Sequence, residues 1–349
     1  MTTSEETAER LLGALIGAAE LLTVELGREL GLYAALRDAP RTPAELAGTT
    51  GTDERYVREW LEQQAAAGLI DVAADGRFAL PAAMAEVVLD ETGPAYLGTA
   101  GQFALGLALA TPAVIDAFRT GRGVSYADYG RHIRHGIAAF NRPMFTHQLA
   151  GEWLPALPEV DRRLRAAPGA HVLDLGCGVG HSSVALALAY PSITVRGVDL
   201  DEASVAEARR TAAAAGVADR VAFALGDATA VKDERPADLV TIFEALHDMG
   251  DPVGVLTAAR EVLAPGGSVF IGDERVADEF TAPAGEIERL QYAFSVLHCL
   301  PATRAESPDH AHGTVLRAPT VLAWAREAGF ADPKVLDIPN DFWRFYLLR

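Results

Sequence analysis

A glycine-rich turn with a carboxylate beside it is the first feature of this 349-residue sequence whose residue types could do chemistry. An apolar run that contains Asp174 leads into Gly176, Gly178 and Gly180, and a helical pattern follows. Glycine lets the backbone turn sharply and approach a ligand with no Cβ in the way. The same pattern fits a dinucleotide-binding domain, in which a pyrophosphate lies at the helix N-terminus. The third glycine comes one residue early for that class, however, and Asp174 favours a cationic ligand over a pyrophosphate.

Two more carboxylates follow the next two apolar runs of the sequence. Asp199 ends the second run, where an acidic side chain can accept hydrogen bonds from both hydroxyls of a ribose. Asp227 follows the third run, where it can accept the exocyclic amine of an adenine. Two alternatives remain open, because Asp199 could cap the following helix and Asp227 could belong to an ordinary turn. Three carboxylates at successive strand ends predict a site with the polarity of an adenosine.

The elements that must position these residues lie after about residue 168, where short apolar runs alternate with amphipathic helical patterns. This alternation is typical of an α/β fold with a parallel sheet. A long insertion over 275–319 separates the fifth strand from the last helix, and we expect it to form a lid whose helix ends at Pro301. The predicted strands cover 171–175, 194–199, 221–225, 239–243, 268–273, 335–338 and 342–348, and the predicted helices cover 181–189, 202–215, 252–263 and 320–328.

The N-terminal part of the chain is helical and ends in a hairpin with an Asp-Gly turn. Three short helices followed by a hairpin predict a winged-helix domain over 1–95, with a helical connector over 96–167 before the domain at 168–349. DNA binding is disfavoured because a recognition helix needs positive charge to approach phosphates. We therefore interpret the winged helix as a dimerisation domain. Its third helix carries Asp53, Glu54, Glu59 and Glu62 against Arg55 and Arg58.

The composition indicates a soluble cytoplasmic protein. Its 48 acidic and 30 basic residues give a formal net charge of −18, which repels nucleic acid and anionic lipid, so neither is expected as a partner. Cys177 and Cys299 cannot make a disulfide framework, which fits a reducing compartment. The apolar stretches 11–26 and 96–117 are interrupted by polar residues and predict buried helices rather than membrane spans. Apolar surface on these stretches favours a homodimer.

Taken together, the motifs of the second half resemble those of the class I S-adenosylmethionine-dependent methyltransferases. They are the Asp-Leu-Gly-Cys-Gly-Val-Gly turn, the Val-Asp-Leu-Asp and Gly-Asp-Ala strand ends, and Leu-Ala-Pro-Gly-Gly before the fifth strand. The resemblance covers roughly 170–349 and implies a Rossmann-like seven-stranded sheet whose last strand is antiparallel. The winged helix is similar to the dimerisation domain of small-molecule O-methyltransferases of plants and antibiotic pathways, and the whole chain resembles an actinobacterial group of such enzymes. S-adenosyl-L-methionine as cofactor and a small organic methyl acceptor are implied.

The resemblance also assigns roles to individual residues. Asp199 is expected to hold the ribose and Asp227 the adenine, while the three glycines pass beneath the methionine portion. In the family a His-Asp pair after the fourth strand carries the general base. His247 and Asp248 match that pair, although Met249 stands where the family has a tryptophan. A histidine suits the role because its unperturbed pKa lies near neutrality. The other residues assigned to the cofactor site are Asp174, Leu200, Ala228 and Glu244.

A second interpretation is a bacterial 2-oxo acid C-methyltransferase, in which a divalent metal chelates the keto acid and acidifies its β-carbon. His247, Asp248 and the lid residue His298 resemble that metal site, and two histidines with one carboxylate are a familiar ligand set. We also expect His298 and Glu274, at the end of the fifth strand, to contact the substrate. Two remote alternatives are a ligand-sensing DNA-binding regulator and a nicotinamide oxidoreductase, and the glycine spacing disfavours the latter.

Overall fold

The computed structural model describes residues 3–166, 168–232, 235–308 and 311–349. Contacts between residues divide the chain into two compact units. The N-terminal unit comprises the chain up to Leu109 together with Arg131–Pro143, and the C-terminal unit comprises Ala110–Gly130 together with Met144–Arg349. Residues of the predicted connector therefore belong to both units, and the predicted domain boundaries after residues 95 and 167 stay predictions.

The N-terminal unit contains a winged helix preceded by a long helix. Its elements are α1 (Ser4–Glu29), α2 (Leu32–Asp38), α3 (Pro43–Thr50), α4 (Glu54–Ala66), β1 (Asp71–Val72), β2 (Phe78–Ala79) and α5 (Ala82–Leu89). The start of α3 is fixed by a capping box, in which the side chains of Thr42 and Glu45 accept each other's backbone N–H groups. Tyr33 and Trp60 lie in the core, with their rings edge to face at 5.1 Å.

The two apolar stretches form helices that are more exposed than the sequence predicts. In α1 the side chains of Leu11 and Leu15 are each 67% exposed. The next long helix, α6 (Ala100–Thr120), could cross a membrane by its length and composition, and 28% of its most apolar window is buried. Phe118 on α6 is 69% exposed. Other apolar side chains of these helices, such as Val24 and Val114, are buried, so the described chain covers the two stretches only in part.

The helix α7 (Tyr126–Met144) is broken at Gly130, whose φ of 68° and ψ of −163° are not helical. Glycine tolerates this conformation because it has no Cβ. The break coincides with the division between the two compact units. A wide, π-helical segment, Phe145–Trp153, follows α7 and begins the second stretch of the C-terminal unit.

A seven-stranded sheet forms the centre of the C-terminal unit. Its strands are β3 (His171–Leu175), β4 (Thr194–Asp199), β5 (Val221–Leu225), β6 (Ala237–Phe243), β7 (Leu263–Glu274), β8 (Lys334–Leu336) and β9 (Trp343–Leu348). They lie in the order β5-β4-β3-β6-β7-β9-β8. Strands β3 to β7 pair in parallel, while β9 is antiparallel to both of its neighbours. The predicted α/β fold class, a Rossmann-like sheet with an antiparallel last strand, is confirmed.

Apolar side chains on both faces of the sheet are covered by helices, which is why the parallel strands read as continuous apolar runs. On one face Trp153, Phe243 and Trp343 form an aromatic cluster, with 5.3 Å between the two tryptophan rings.

The strand order reverses at β3, because β4 lies on one side of it and β6 on the other. A crevice at the carboxyl ends of β3 and β6 is the expected ligand position in such a sheet. The helix α8 (Pro158–Arg165) precedes β3, and the helices between the strands include α9 (His181–Ala189), α10 (Glu202–Ala214) and α11 (Pro252–Glu261).

The insertion predicted as a lid contains helices joined by a wide turn. They are α12 (Glu286–Phe294), the π-helical Ser295–Cys299 and α13 (Leu300–Glu306), and α14 (Ala318–Glu327) follows the insertion. Residues 309 and 310 of the insertion lie outside the described part of the chain.

The helix of the insertion does not end at Pro301, so that prediction is wrong. The N–H of Leu300 donates to the carbonyl of Ser295, five residues earlier, and this wide turn carries the chain past the proline. Proline has no N–H for the carbonyl of Leu297, four residues earlier. The hydroxyl of Tyr129 donates to that carbonyl instead, at 2.8 Å. Tyr129 thus compensates the missing hydrogen bond beside His298.

Candidate active site

The glycine turn lies where β3 meets α9, and its three glycines have different tasks. All three have positive φ, at 69° for Gly176, 51° for Gly178 and 82° for Gly180. A Cβ on Gly176 would lie 2.5 Å from the Cβ of Ala245, and one on Gly180 would lie 2.6 Å from the ring of Phe223. A Cβ on Gly178 would meet no atom within 4 Å. Two glycines are therefore needed for packing, and Gly178 faces open space at the crevice.

Asp174 is an internal support of the turn. Its carboxylate is 1% exposed and accepts hydrogen bonds from the hydroxyls of Ser182 and Ser183 at 2.6 Å and of Thr241 at 2.7 Å. Burial raises the pKa of Asp174, and the three hydroxyl donors oppose that shift. The prediction that Asp174 contacts a cationic cofactor is corrected on this ground, because both of its oxygens bind hydroxyls of α9 and β6.

Asp199 and Asp227 lie on adjacent strand ends, as the sequence predicts. Asp199 Oδ2 accepts the N–H of Gly178 at 2.8 Å, and Oδ1 accepts the N–H of Asp201 at 2.9 Å. The N–H of Gly226, just before Asp227, donates to the backbone carbonyl of Asp199 at 3.0 Å. Burial raises the pKa of the Asp199 carboxyl, while the two N–H donors lower it. Asp201, and not Asp199, caps α10, which removes one of the alternatives left open by the sequence.

The other residues assigned to the cofactor site differ in their exposure. Asp227 is exposed and also accepts the N–H of Thr229 at 2.8 Å, so the turn that the sequence offered as an alternative is present. Leu200 is 56% exposed and Ala228 is buried. An exposed leucine beside Asp199 can cover an apolar ring, whereas Ala228 belongs to the core. Their contacts with a cofactor stay predictions.

His247 lies in a short turn after β6 and is held by a carboxylate of β7. Its Nδ1 is 2.7 Å from Asp273 Oδ1, and its backbone N–H donates to Asp273 Oδ2 at 3.2 Å. On the opposite side of the ring, Nε2 is 3.4 Å from Asp248 Oδ1. Burial disfavours the charged imidazole, but Asp248 and Asp273 outweigh it and raise the pKa of His247 well above its ordinary value. The predicted His247–Asp248 pair is in place, and Asp273 completes it.

The wide turn of the lid brings His298 and Cys299 to the same cluster. His298 is 2% exposed, and its ring meets those of Tyr129 and Tyr126 edge to face at 4.5 and 5.7 Å. Burial lowers the pKa of His298, so its ring is neutral. In the described part of the chain no group hydrogen-bonds to His298 Nε2. Within the described chain, donor atoms of His247, Asp248 and Cys299 lie within 4.8 Å of one another, so Cys299 rather than the predicted His298 is the third member of this cluster.

Glu244 and Glu274 form a buried pair of carboxyl groups beside His247. Glu244 is the only non-glycine residue with positive φ in the described chain, at 49°, and its carboxyl hydrogen-bonds to that of Glu274. Gln291 of α12 donates through Nε2 to Glu274 and, at 3.0 Å, to the carbonyl of Phe342. Burial raises the pKa of both carboxyls, to about 7 for Glu274. The sequence predicts that each of them contacts a ligand, and these contacts stay predictions.

Sequence reasoning missed three residues of this cluster. Asp273 was not distinguished from its neighbour Glu274, because nothing in the sequence shows which of two successive strand residues faces His247. Cys299 and Gln291 lie on the lid, and only the wide turn places Cys299 there. A signal for Asp273 was present, since a buried acidic residue at a strand end next to a candidate base is a natural partner for its ring N–H.

The fold and the crevice define the class of Rossmann-like proteins that bind a nucleoside cofactor at the switch point of the sheet. Two family models match the chain, one described as a methyltransferase domain over 166–313 and one as an Rv2258c-like winged HTH domain over 18–89. A ubiquinone biosynthesis O-methyltransferase of Pseudomonas aeruginosa is 33% identical over 192 residues, 54% of this chain and 76% of that protein. The chain belongs to the S-adenosylmethionine-dependent methyltransferases.

Three further proteins are similar to the chain in sequence or in structure. The 27-O-demethylrifamycin SV methyltransferase of Amycolatopsis mediterranei is 37% identical over 106 residues, 30% of this chain and 39% of that protein. An O-methyltransferase family protein of Burkholderia thailandensis has a TM-score of 0.70 at 22% identity, covering 100% of this chain and 98% of its own. Human N-acetylserotonin methyltransferase, solved with S-adenosylmethionine, has a TM-score of 0.68 at 18% identity, covering 100% and 99%. The two solved structures show the common fold over the whole chain.

Proposed function

We propose that this enzyme transfers the methyl group of S-adenosylmethionine to a hydroxyl group of a small organic molecule, with His247 as the general base. The observation that carries the proposal is the hydrogen bond of 2.7 Å between His247 Nδ1 and Asp273, which leaves Nε2 as the basic atom. The loop of His247 also lies against the glycine turn, through the close approach of Ala245 to Gly176. Relatives named as O-methyltransferases support a hydroxyl acceptor.

The residues of the crevice fit the cofactor. Open space above Gly178 leaves room for a ligand against the backbone, and Asp199 and Asp227 offer carboxylate oxygens on neighbouring strand ends. In this proposal Asp199 holds the ribose and Asp227 the adenine amine, and Glu244 lies near the methionine portion. S-adenosylmethionine, when bound, supplies an activated methyl group on a cationic sulfur. Carboxylates around a cation lower its energy in a poorly solvated site.

His247 performs the proton transfer in this mechanism. Asp273 holds the tautomer in which Nδ1 carries the hydrogen, so Nε2 can accept the proton of the acceptor hydroxyl. The imidazolium that forms is stabilised by Asp273 on one side and by Asp248, 3.4 Å from Nε2, on the other. The rest of the chain's contribution is to align the acceptor with the methyl group and to exclude water.

The test separates cofactor binding from proton transfer. Binding of S-adenosylhomocysteine is measured by calorimetry, and its release during turnover is measured by mass spectrometry with a panel of phenols and alcohols. Asp199→Ala should weaken binding about 10–100-fold, since it removes charged hydrogen-bond partners. His247→Gln should retain binding and lower turnover about 10²–10⁴-fold.

The control is His312→Gln, which changes an exposed histidine of the same unit. Full turnover in His247→Gln contradicts the base assignment, and full affinity in Asp199→Ala contradicts the cofactor site.

A second candidate function is metal-dependent C-methylation of a 2-oxo acid. It is favoured by one observation, the convergence of donor atoms of His247, Asp248 and Cys299 within 4.8 Å, with the neutral His298 beside them. Burial raises the pKa of Cys299 to about 12, so its thiol needs a bound cation to ionise. A divalent ion held there would supply Lewis acidity to a keto acid.

Exhaustive chelation distinguishes the two candidates. The hydroxyl mechanism predicts that turnover survives treatment with a strong chelator, because His247 and Asp273 need no metal. Loss of turnover that zinc, iron or nickel restores supports the C-methylation candidate and contradicts the first. Metal content measured on the purified protein gives an independent readout.

We further propose a cytoplasmic homodimer that acts on small molecules of secondary metabolism and binds neither membranes nor nucleic acid. Exposed leucines of α1 and the apolar face of α6 support dimerisation. The acidic surface of α4 opposes DNA binding, because its two arginines pair with Glu54 and Glu59 of the same helix.

A further inference from the structure

The charged side chains that the structure places around His247 are carboxylates. Asp273 and Asp248 lie 2.7 and 3.4 Å from the two ring nitrogens, and Glu274 lies beside them in the pair with Glu244. In the described residues, no hydrogen bond or ion pair of Asp248, Asp273 or Glu274 involves an arginine or a lysine. Among the described residues, the cationic partner of Asp248 and Asp273 is His247.

A further carboxylate comes from the lid. Glu306 at the end of α13 approaches the loop after β6, since a Cβ on Gly250 would lie 3.3 Å from the Cβ and 3.6 Å from Oε2 of Glu306. The Glu306 side chain is exposed at the surface, yet partial desolvation and the charges of Asp248, Asp227 and Asp199 raise its pKa to about 7. Glu306 thus adds a carboxylate that interacts with the charges of Asp248, Asp227 and Asp199.

Two buried acceptor atoms at the site lack a hydrogen-bond donor, which a bound molecule could supply. In the described part of the chain, Gln291 Oε1 is buried and accepts no hydrogen bond, and the buried Asp248 Oδ1 has only its 3.4 Å ion-pair contact with His247 Nε2. Both atoms are acceptors, and Gln291 is 2% exposed. An unmet buried acceptor is costly, and an N–H or O–H of a bound molecule would satisfy it. A carboxylate of a ligand would instead bring a further acceptor and a like charge.

We propose that the acceptor site selects molecules that carry no negative charge, favours molecules that carry a protonated amine, and rejects carboxylates and phosphates. The inference rests on the proposed hydroxyl methylation at His247 and names the substrate class of that site. It follows from the sign of the surrounding charges and from the unmet acceptors, which an ammonium group satisfies with three N–H donors.

The test uses three probes that share a catechol ring and differ in one side-chain group. They are dopamine, with an ammonium, hydroxytyrosol, with an alcohol, and 3,4-dihydroxyphenylacetate, with a carboxylate. Binding of each to the intact protein saturated with S-adenosylhomocysteine is measured by calorimetry at neutral pH. We expect dopamine to bind at least about tenfold more tightly than the alcohol, and the carboxylate to bind at least about tenfold more weakly.

Matched variants show whether the site's own charge sets this order. Asp248→Asn removes the carboxylate 3.4 Å from His247 Nε2 and should reduce the preference for dopamine over the alcohol several-fold. Glu327→Gln removes an exposed carboxylate of α14 and should leave the preference unchanged, so it controls for the charge of the whole protein. An equal effect of both variants would overturn the assignment to this site.

The remaining outcomes are equally decisive. The proposal is overturned if the carboxylate binds as tightly as dopamine, or if none of the probes binds at millimolar concentration. Carboxylate binding that appears only with added zinc also overturns it and supports the metal-dependent candidate. Failure of the protein to bind S-adenosylhomocysteine contradicts the proposed function itself. An inverted charge order with intact cofactor binding contradicts only the present inference.

Discussion

Two carboxylates set the proton affinity of His247, and they act from opposite sides of its ring. Asp273 is fixed by three hydrogen bonds that involve His247 and the backbone of Glu274. Asp248 makes a looser contact at 3.4 Å. Both carboxylates raise the pKa of His247 well above its ordinary value, so the proposed base holds a proton more strongly than a free imidazole does. The acceptor can lose its proton to Nε2 only when this imidazole is neutral.

The pH dependence of turnover follows from this arrangement. The neutral form appears as pH rises through the raised pKa, so kcat/KM should increase from neutral to alkaline pH. Asp248→Asn removes one stabilising charge and should move the rise to lower pH by about one unit. Asp341→Asn, at an exposed position, is the control. A profile that does not move in Asp248→Asn contradicts a role of Asp248 in the protonation of His247.

Glu274 couples folding to pH with a defined sign. Its pKa is raised to about 7 in the folded protein, so its contribution to stability is fully present below its ordinary pKa of 4.5 and is lost as pH rises through about 7. The free energy of unfolding should therefore fall between about pH 5 and 8, by up to about 3 kcal/mol for this group. Urea unfolding of Glu274→Gln should show a smaller decrease. An unchanged slope contradicts a protonated Glu274.

The residues of the site could be predicted from the sequence only in part. His247, Asp199 and Asp227 follow strand ends and take their place from the order of the strands. Asp174 resembles them in sequence, but the structure turns it inward to three hydroxyls. Sequence spacing shows that a residue lies near a strand end, but it does not show which way the side chain points.

At the scale of elements, the glycine turn offers a matched pair of substitutions. Gly176→Ala forces a Cβ to 2.5 Å from Ala245 at a φ of 69°, so it should destabilise the fold by about 2–3 kcal/mol and displace the loop of His247. Gly178→Ala meets open space, so only about 1 kcal/mol of backbone strain is expected. Gly178→Ala should nevertheless weaken S-adenosylhomocysteine binding. Chemical unfolding and calorimetry measure the two effects, and equal stability losses contradict the packing argument.

The strands were predicted closely, while the lid was not. Parallel strands buried on both faces appear as short apolar runs that hardly depend on distant residues, and β3, β4 and β5 have the predicted bounds. The lid departs from prediction because Pro301 usually ends a helix. Here a wide turn and the hydroxyl of Tyr129 compensate for it. Tyr129 is 168 residues away along the chain, so no local pattern could reveal this compensation.

At the scale of the whole molecule, the uncovered helices predict association. Leu11 and Leu15 on α1 are each 67% exposed, which is costly for an isolated protomer. Leu15→Glu places a charge in the proposed interface and should convert the dimer to a monomer in light scattering. Ala213→Glu adds the same charge to an exposed position of α10 and should leave the dimer intact. A wild-type monomer at micromolar concentration contradicts the proposal.

The division of the chain into two compact units could not be predicted from the helical spacing of apolar residues in the sequence. Helical patterns continue across the connector, whereas the structure assigns parts of α6 and α7 to different units. The break at Gly130 depends on one residue in an otherwise regular pattern. Local sequence patterns thus predict the fold class, but long-range contacts are needed to assign each helix to a unit.

The wide turn at Ser295–Cys299 has a consequence for how homologues are aligned. A π-helical turn holds an additional residue compared with an α-helix, and each residue rotates a helix by about 100°. Loss of one residue upstream, such as Val296, would restore regular geometry and swing His298 and Cys299 away from His247. A homologue could therefore lose both groups from its active site through a single codon deletion while its own histidine and cysteine codons stay intact. Alignments across this insertion need a one-residue gap to detect such an event.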